Sequence, residues 1–175
     1  PWEPAPVGPL VLPGTYTATF ARRVDGKLVP WGDPQSFDVV PLGAAELTAA
    51  DREAIFAFAK ATSRLRRAVL GATEILGEAK TRLDTLRKAI DETPGAPLAL
   101  ADEARALEAR RRDLEIALTG DPVRRKYNEP VPPSIVDRVE QIVFGHWWTT
   151  SAPTATHRQA YDIAASEFEP LLGRI

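Results

Sequence analysis

The chain has 175 residues, 44% apolar and 26% charged, with a net charge of −2. That balance belongs to a globular protein and excludes collagen-like and disordered chains. It leaves no broad basic field for nucleic acid and no apolar run that would span a membrane. With no cysteine, there is no disulfide framework and no thiolate chemistry.

Methionine is also absent and the chain opens at Pro1 without a secretory leader pattern, so it reads as a fragment or a processed product. Proline usage divides it. Eight of the 16 prolines fall in the first 43 residues, and none lies between Leu42 and Thr93. Such a shift marks a boundary between a β-type region, 1–43, and a helical region, 44–175.

In the β region, PGTYTATFARR alternates: Tyr16, Ala18 and Phe20 point one way, Thr15, Thr17 and Thr19 the other. That pattern predicts a half-buried strand. Asp25-Gly26 accepts positive φ and signals a hairpin turn. KLV and QSFDVVPL follow as two further strands, with PWGDP as a loop between them. A sheet of about three strands needs one face covered. Either the helices or further strands supply that cover.

The helical region opens at Thr48, whose hydroxyl caps the helix while Asp51 suits its positive start. Ile55, Phe58, Thr62, Leu65, Val69, Ala72, Leu76, Ala79, Leu83, Leu86 and Ile90 then recur at steps of three and four. This heptad seam predicts a helix over 48–92. Glu78–Arg82 and Asp84–Lys88 are spaced as ion pairs on its outer face. Gly71 and Gly77 lie off the seam, where either a close neighbour or simple tolerance explains them. ETPGAP turns the chain into a second helix, 97–118, striped by Leu100, Ala104, Leu107, Leu114 and Leu118. A short turn between matching stripes predicts an antiparallel hairpin. This helix covers only part of the first, so the seam nearer Thr48 needs another partner.

TGDPVRRKYNEPVPP reads as a connector. A third helix, 134–144, starts at Ser134 with Asp137 three residues on, carries Ile135, Val136, Val139, Ile142 and Val143, and ends at Gly145. A fourth, 154–172, aligns Tyr161, Ala164, Phe168 and Leu171, with Pro170 disturbing its last turn. The expected fold is therefore α+β: a small antiparallel β segment, then a long helical hairpin and two shorter helices forming a four-helix assembly.

Candidate functional residues fall in two places. His146, Trp147 and Trp148 lie between the third and fourth helices, where they form either a packed corner or an aromatic binding platform. The corner reading is favoured, because one loop offers no convergent polar set. His157 shares a helix stripe with Tyr161. With no cysteine or carboxylate motif near His146 and His157, no metal site and no cofactor are expected. Arg124, Arg125 and Lys126 beside Tyr127 form a basic loop suited to a phosphate or an acidic partner, or to plain solvation. Arg110, Arg111 and Arg112 diverge around a helix and read as a solvated face. No phosphate loop, nucleophile elbow or zinc-protease motif is present, so no catalytic residue is assigned and an active site confined to this chain is not expected.

Three segments together carry a family likeness: GPLVLPGTYTATF with VDGKLVPWGDPQSFDVVPL, the charged helical hairpin, and NEPVPPSIVDRVEQIV with TTSAPTATHRQAYDIAASEF. Over essentially its whole length the chain resembles the C-terminal region of bacterial exported sortilin-like (BNR or Asp-box) β-propeller proteins, often labelled glycosyl hydrolases. The resemblance implies that 1–43 is part of an immunoglobulin-like segment following a propeller. It also implies an exported or periplasmic setting. This chain holds no Asp-box, and no catalytic residue carries over. The expected function is a non-catalytic accessory domain that packs against or positions the propeller. The alternatives are a surface module binding glycan or peptide, and one part of a glycosidase whose active site lies in the propeller. The expected partner is that propeller, with a homodimer through the long helix as a further option.

Overall fold

A computed structural model describes residues 8–41, 47–147, 149 and 151–175. Strands β1 (Gly14–Val24) and β2 (Lys27–Val39) come first. Five helices follow: α1 (Ala49–Glu92), α2 (Leu98–Thr119), α3 (Pro122–Lys126), α4 (Ile135–His146) and α5 (Ala155–Leu172). The α+β class holds, and the four long helices begin and end within two residues of their expected bounds.

Local signals fix the helix starts. The Thr48 hydroxyl accepts the Asp51 amide at 3.1 Å, and the Asp51 carboxylate accepts the Thr48 amide at 3.0 Å. Ser134 and Asp137 repeat this reciprocal pair at the head of α4. The Thr154 hydroxyl caps α5 through the His157 amide. α3 lies in the segment read as a connector. Asp121 caps it through the Val123 and Arg124 amides, and Pro122 stands at its first position. Both are helix-start signals.

The seam of α1 is buried within the chain at Thr62, Val69, Ala72, Leu76 and Leu83. α2 packs antiparallel on its later half. α4 takes the earlier half: Arg66 bonds Glu140, and Phe58 meets His146. Moving forward along α1 means moving back along α4, so α4 is antiparallel too and resumes the path that α2 leaves. α5 closes the core, bringing Ala164, Phe168 and Leu171 against Val69, Leu76, Leu118 and Ile135.

Several expectations need correction. Leu100 and Leu107 are exposed, and Leu86 on α1 is exposed as well. The buried stripe of α2 is Ala104, Arg111, Leu114 and Leu118. Arg111 is thus no solvated arginine. Its side chain is 6% exposed, bonding Glu108 at 2.9 Å and Glu115 at 2.7 Å. The arginine lies on the seam at 3.6-residue spacing from Ala104 and Leu114, and its two carboxylate partners on the same helix make burial tolerable. Asp84 pairs back with Lys80 rather than forward with Lys88. Gly145 lies inside the last turn of α4 instead of ending it. A Cβ there would stand 3.0 Å from His157 Nε2, so the glycine admits α5.

The β region is a two-stranded antiparallel hairpin turned by Asp25 (φ 49) and Gly26 (φ 79). The loop expected at PWGDP does not separate two strands. β2 runs through it, with an irregularity where Ala18 pairs Gln35 and Phe20 pairs Trp31. The three residues 32–34 are therefore absorbed opposite Thr19, and Gly32 supplies the positive φ of 77. Pro30 and Pro34 are tolerated because each strand is an edge among the described residues.

Pairing assigns the faces. Tyr16, Phe20 and Val24 share one side with Val29, Trp31 and Phe37, and the Thr15, Thr17, Ser36 and Asp38 side chains share the other. Tyr16 stacks on Phe37 and Phe20 meets Trp31 edge-on. Among the described residues nothing covers this apolar face: Phe20 is 64% exposed, Trp31 65% and Phe37 52%.

Candidate functional site

The aromatic corner forms where α4 gives way to the link before α5. His146 closes α4 and is 2% exposed. Its ring meets Phe58 of α1 edge-on at 5.5 Å and His157 of α5 at 5.9 Å. Neither of its ring nitrogens has a hydrogen-bond partner among the described residues. Burial lowers the His146 pKa from its ordinary value, and the positive charges of His157 and Arg158 push the same way. The nearby Ser151 backbone acts in the opposite direction without meeting hydrogen-bond geometry.

Trp147 is half-buried. The Arg66 guanidinium stands 5.9 Å from its ring centre, within cation–π range. Its indole N–H is buried and also lacks a partner among the described residues. Trp148 lies outside the described residues. Phe144, just before the corner, is 82% exposed. It falls on the outer side of α4, away from the stripe of Ile135, Val139, Ile142 and His146.

His146 and Trp147 line a groove of about 820 Å³. Its opposite wall is the base of the β-hairpin, residues 9–13 and 39–41, and its floor is the first turns of α1. The volume and the mostly apolar lining are those of a small-molecule or peptide site. Arg52 is the charged lining residue, and no carboxylate lines the groove among the described residues. The guanidinium of Arg52 donates to the Leu47 carbonyl at 2.7 Å. Sequence reasoning did not find this groove. Its outer wall comes from PLVLP, a proline-bounded apolar run ahead of β1, which meets α1 only through tertiary structure.

The basic loop is largely satisfied internally. Arg124 pairs with Glu129 at 3.0 Å. Arg125 pairs with Asp137 at 2.6 Å and donates to the Thr119 carbonyl at the end of α2. Burial alone would raise the Asp137 carboxyl, but hydrogen bonds from Ser134 and the Arg125 charge outweigh it and hold the pKa below the ordinary value. Arg125 thus clips the end of α2 to the start of α4. Lys126 and Tyr127 are exposed and lie apart from the aromatic corner.

Among the described residues no three His, Cys, Asp or Glu side chains stand close enough to hold a metal ion. Among the described residues no helix is long and apolar enough to cross a membrane. Comparisons with family models, curated proteins and solved structures return no match.

Proposed function

We infer that this chain is a non-catalytic accessory and interaction domain of a larger exported β-propeller protein, with the hairpin as its docking element. One observation carries the reading: the uncovered apolar face of Phe20, Trp31 and Phe37. A lone two-stranded hairpin is marginal in water, so this one is expected to gain its stability from a partner. Its polar threonine face and unpaired edges suit a sheet that packs on one side and extends at its edge. The immunoglobulin-like strands and propeller implied by the family resemblance are a partner of that kind. The helical region has its own core.

The test is amide hydrogen exchange on this chain, alone and with the parent's preceding region. Amides of β1 and β2 are expected to exchange fast alone and to be protected in the complex. Trp31→Asp should weaken the association by about tenfold or more, because a carboxylate would be desolvated in the interface. Unchanged binding by Trp31→Asp overturns the proposal. A mass that grows with concentration in this chain alone would point instead to the homodimer.

The groove at the aromatic corner favours a second reading, a surface binding module.

A further inference from the structure

Between Glu53 and Glu74, α1 carries Lys60, Arg64, Arg66 and Arg67 and no carboxylate. Arg66 is paired with Glu140. Lys60, Arg64 and Arg67 stand at steps of four and three, so they share one stripe of the helix. All three are exposed, and none forms a salt bridge among the described residues. An acidic chain thus keeps three unpaired cations together on one face, which suits an acidic partner.

The stripe borders the corner groove. Phe56 lines the groove, and the Lys60 ammonium stands 5.9 Å from its ring centre. Inside the groove polar recognition is poor. The His146 and Trp147 ring nitrogens are buried away from it, and Arg52 already donates to the Leu47 carbonyl. The groove therefore selects apolar groups, and selection by charge falls to the stripe.

The wall opposite α1 favours a peptide. Residues 9–13 lie in no strand, and the backbone N–H groups of Leu10 and Val11 meet no backbone acceptor among the described residues. Such a run can pair with an extended chain laid beside it. From Lys60 to Arg67 the helix rises about 10 Å at 1.5 Å per residue. Three extended residues cover about the same distance at 3.3 Å each.

We propose that groove and stripe together bind an extended acidic peptide segment, its apolar side chains in the groove and a run of carboxylates along Lys60, Arg64 and Arg67. This rests on the surface-module reading of the corner and is independent of the docking face of the hairpin. No covalent step is involved.

Fluorescence anisotropy with labelled hexapeptides tests the proposal. One probe joins three leucines to three glutamates and is made in both chain orders. A second carries glutamines in place of the glutamates. The better acidic probe should bind about tenfold or more tightly than its glutamine counterpart. The triple variant Lys60→Gln, Arg64→Gln, Arg67→Gln should erase that advantage and leave the glutamine probe unchanged. Leu10→Ser with Val40→Ser changes two exposed positions of the groove wall, so it should weaken both probes alike. Lys126→Gln, in the basic loop away from the corner, should alter neither. Equal affinity for the two probes, or acidic binding indifferent to the triple variant, overturns the proposal and leaves a binding module of other specificity. Failure of every probe to bind overturns the module reading as well. Binding to phosphatidylglycerol vesicles that the triple variant loses, without binding to the peptides, overturns the proposal in favour of an anionic membrane surface.

Discussion

The helical region and the β-hairpin are both amphipathic, yet they end in opposite states. In α1, Val69, Ala72 and Leu76 disappear beneath α2, α4 and α5. In the hairpin, Phe20, Trp31 and Phe37 line one face just as regularly and remain in solvent. Apolar periodicity specifies which side of an element seeks cover, but it does not say where that cover comes from. The long helix finds its partners within the next hundred residues. The hairpin pairs only with itself among the described residues.

The comparison breaks most sharply under a carboxylate. Ile142→Asp places an unpaired charge at a fully buried position of α4. It should cost several kcal/mol and abolish the cooperative melt of the helical region. Phe20→Asp, on the exposed face of the hairpin, should shift the same melt by less than about 0.5 kcal/mol. Circular dichroism melts of the two variants decide it. A large loss from Phe20→Asp would mean that the hairpin face is covered in solution.

A second contrast lies within the helical region, between its apolar core and the charged layer at Arg111. The Glu108 side chain is 13% exposed and leans on Arg111 from one turn away. Arg111→Ala would leave that carboxylate nearly buried and unpaired, at a cost of about 3 kcal/mol. The double variant Arg111→Met with Glu108→Leu should recover most of that loss, because it removes the charges together. Denaturant melts of the single and double variants measure the difference. If Arg111→Ala is harmless, the triad is loose and the arginine is solvated as the sequence suggested.

That arginine shows where sequence reasoning stops. Helix existence and bounds were legible, because caps such as Thr48–Asp51 and Ser134–Asp137 are local chemistry. Spacing alone does not settle the stripe of α2. Leu100 and Leu107 keep the same steps of three and four as Ala104, Arg111, Leu114 and Leu118, yet both are exposed, while Arg111 on that stripe is buried with its paired carboxylates. PWGDP reads as a loop because glycine and proline usually punctuate, yet an edge strand can absorb both in one irregular step. The corner at His146 and Trp147 was legible as a cluster. The groove beside it was not, since its walls are about a hundred residues apart in the chain.

Titration separates the two regions more gently. The described residues of the hairpin include no histidine, whereas the helical core holds His146 nearly fully buried, facing Phe58 of α1 and His157 and Arg158 of α5. Its folded pKa is lowered, so the unfolded chain takes up its proton first. Stability should therefore fall as pH drops below about 6.5, the ordinary histidine value, and keep falling until the folded pKa is reached. Asp51 and Asp137 are also lowered, Asp51 chiefly by the Thr48 hydroxyl and Asp137 against the opposing effect of burial. Their contributions are present above about 4 and are lost only at more acid pH. Melts between pH 7 and 5 should show the first slope in the native chain, and His146→Leu should flatten it. An unchanged slope in that variant would place the titrating group elsewhere.

The smallest expected effect concerns the outer face of α1, where the seam is silent. Gly71 and Gly77 both sit in the helix interior on the exposed side. A Cβ built on either would meet nothing within 4 Å, and neither has the positive φ that favours glycine. Close approach by another element, one of the two explanations the sequence leaves open, is therefore absent among the described residues. What remains is the entropy that glycine loses on entering a helix. Alanine at each position should raise stability by about 0.5–1 kcal/mol. The gains should add in the double variant, because the sites lie more than one turn apart and share no partner. Gly145 provides the internal control. There the added methyl would press on His157 Nε2 from 3.0 Å, so Gly145→Ala should lose stability although its helix propensity improves. Equilibrium urea melts of the three single variants measure the signs. If Gly71→Ala or Gly77→Ala proves destabilising, some partner does lie against the outer face of the long helix, and the seam is not the only surface of α1 that is covered.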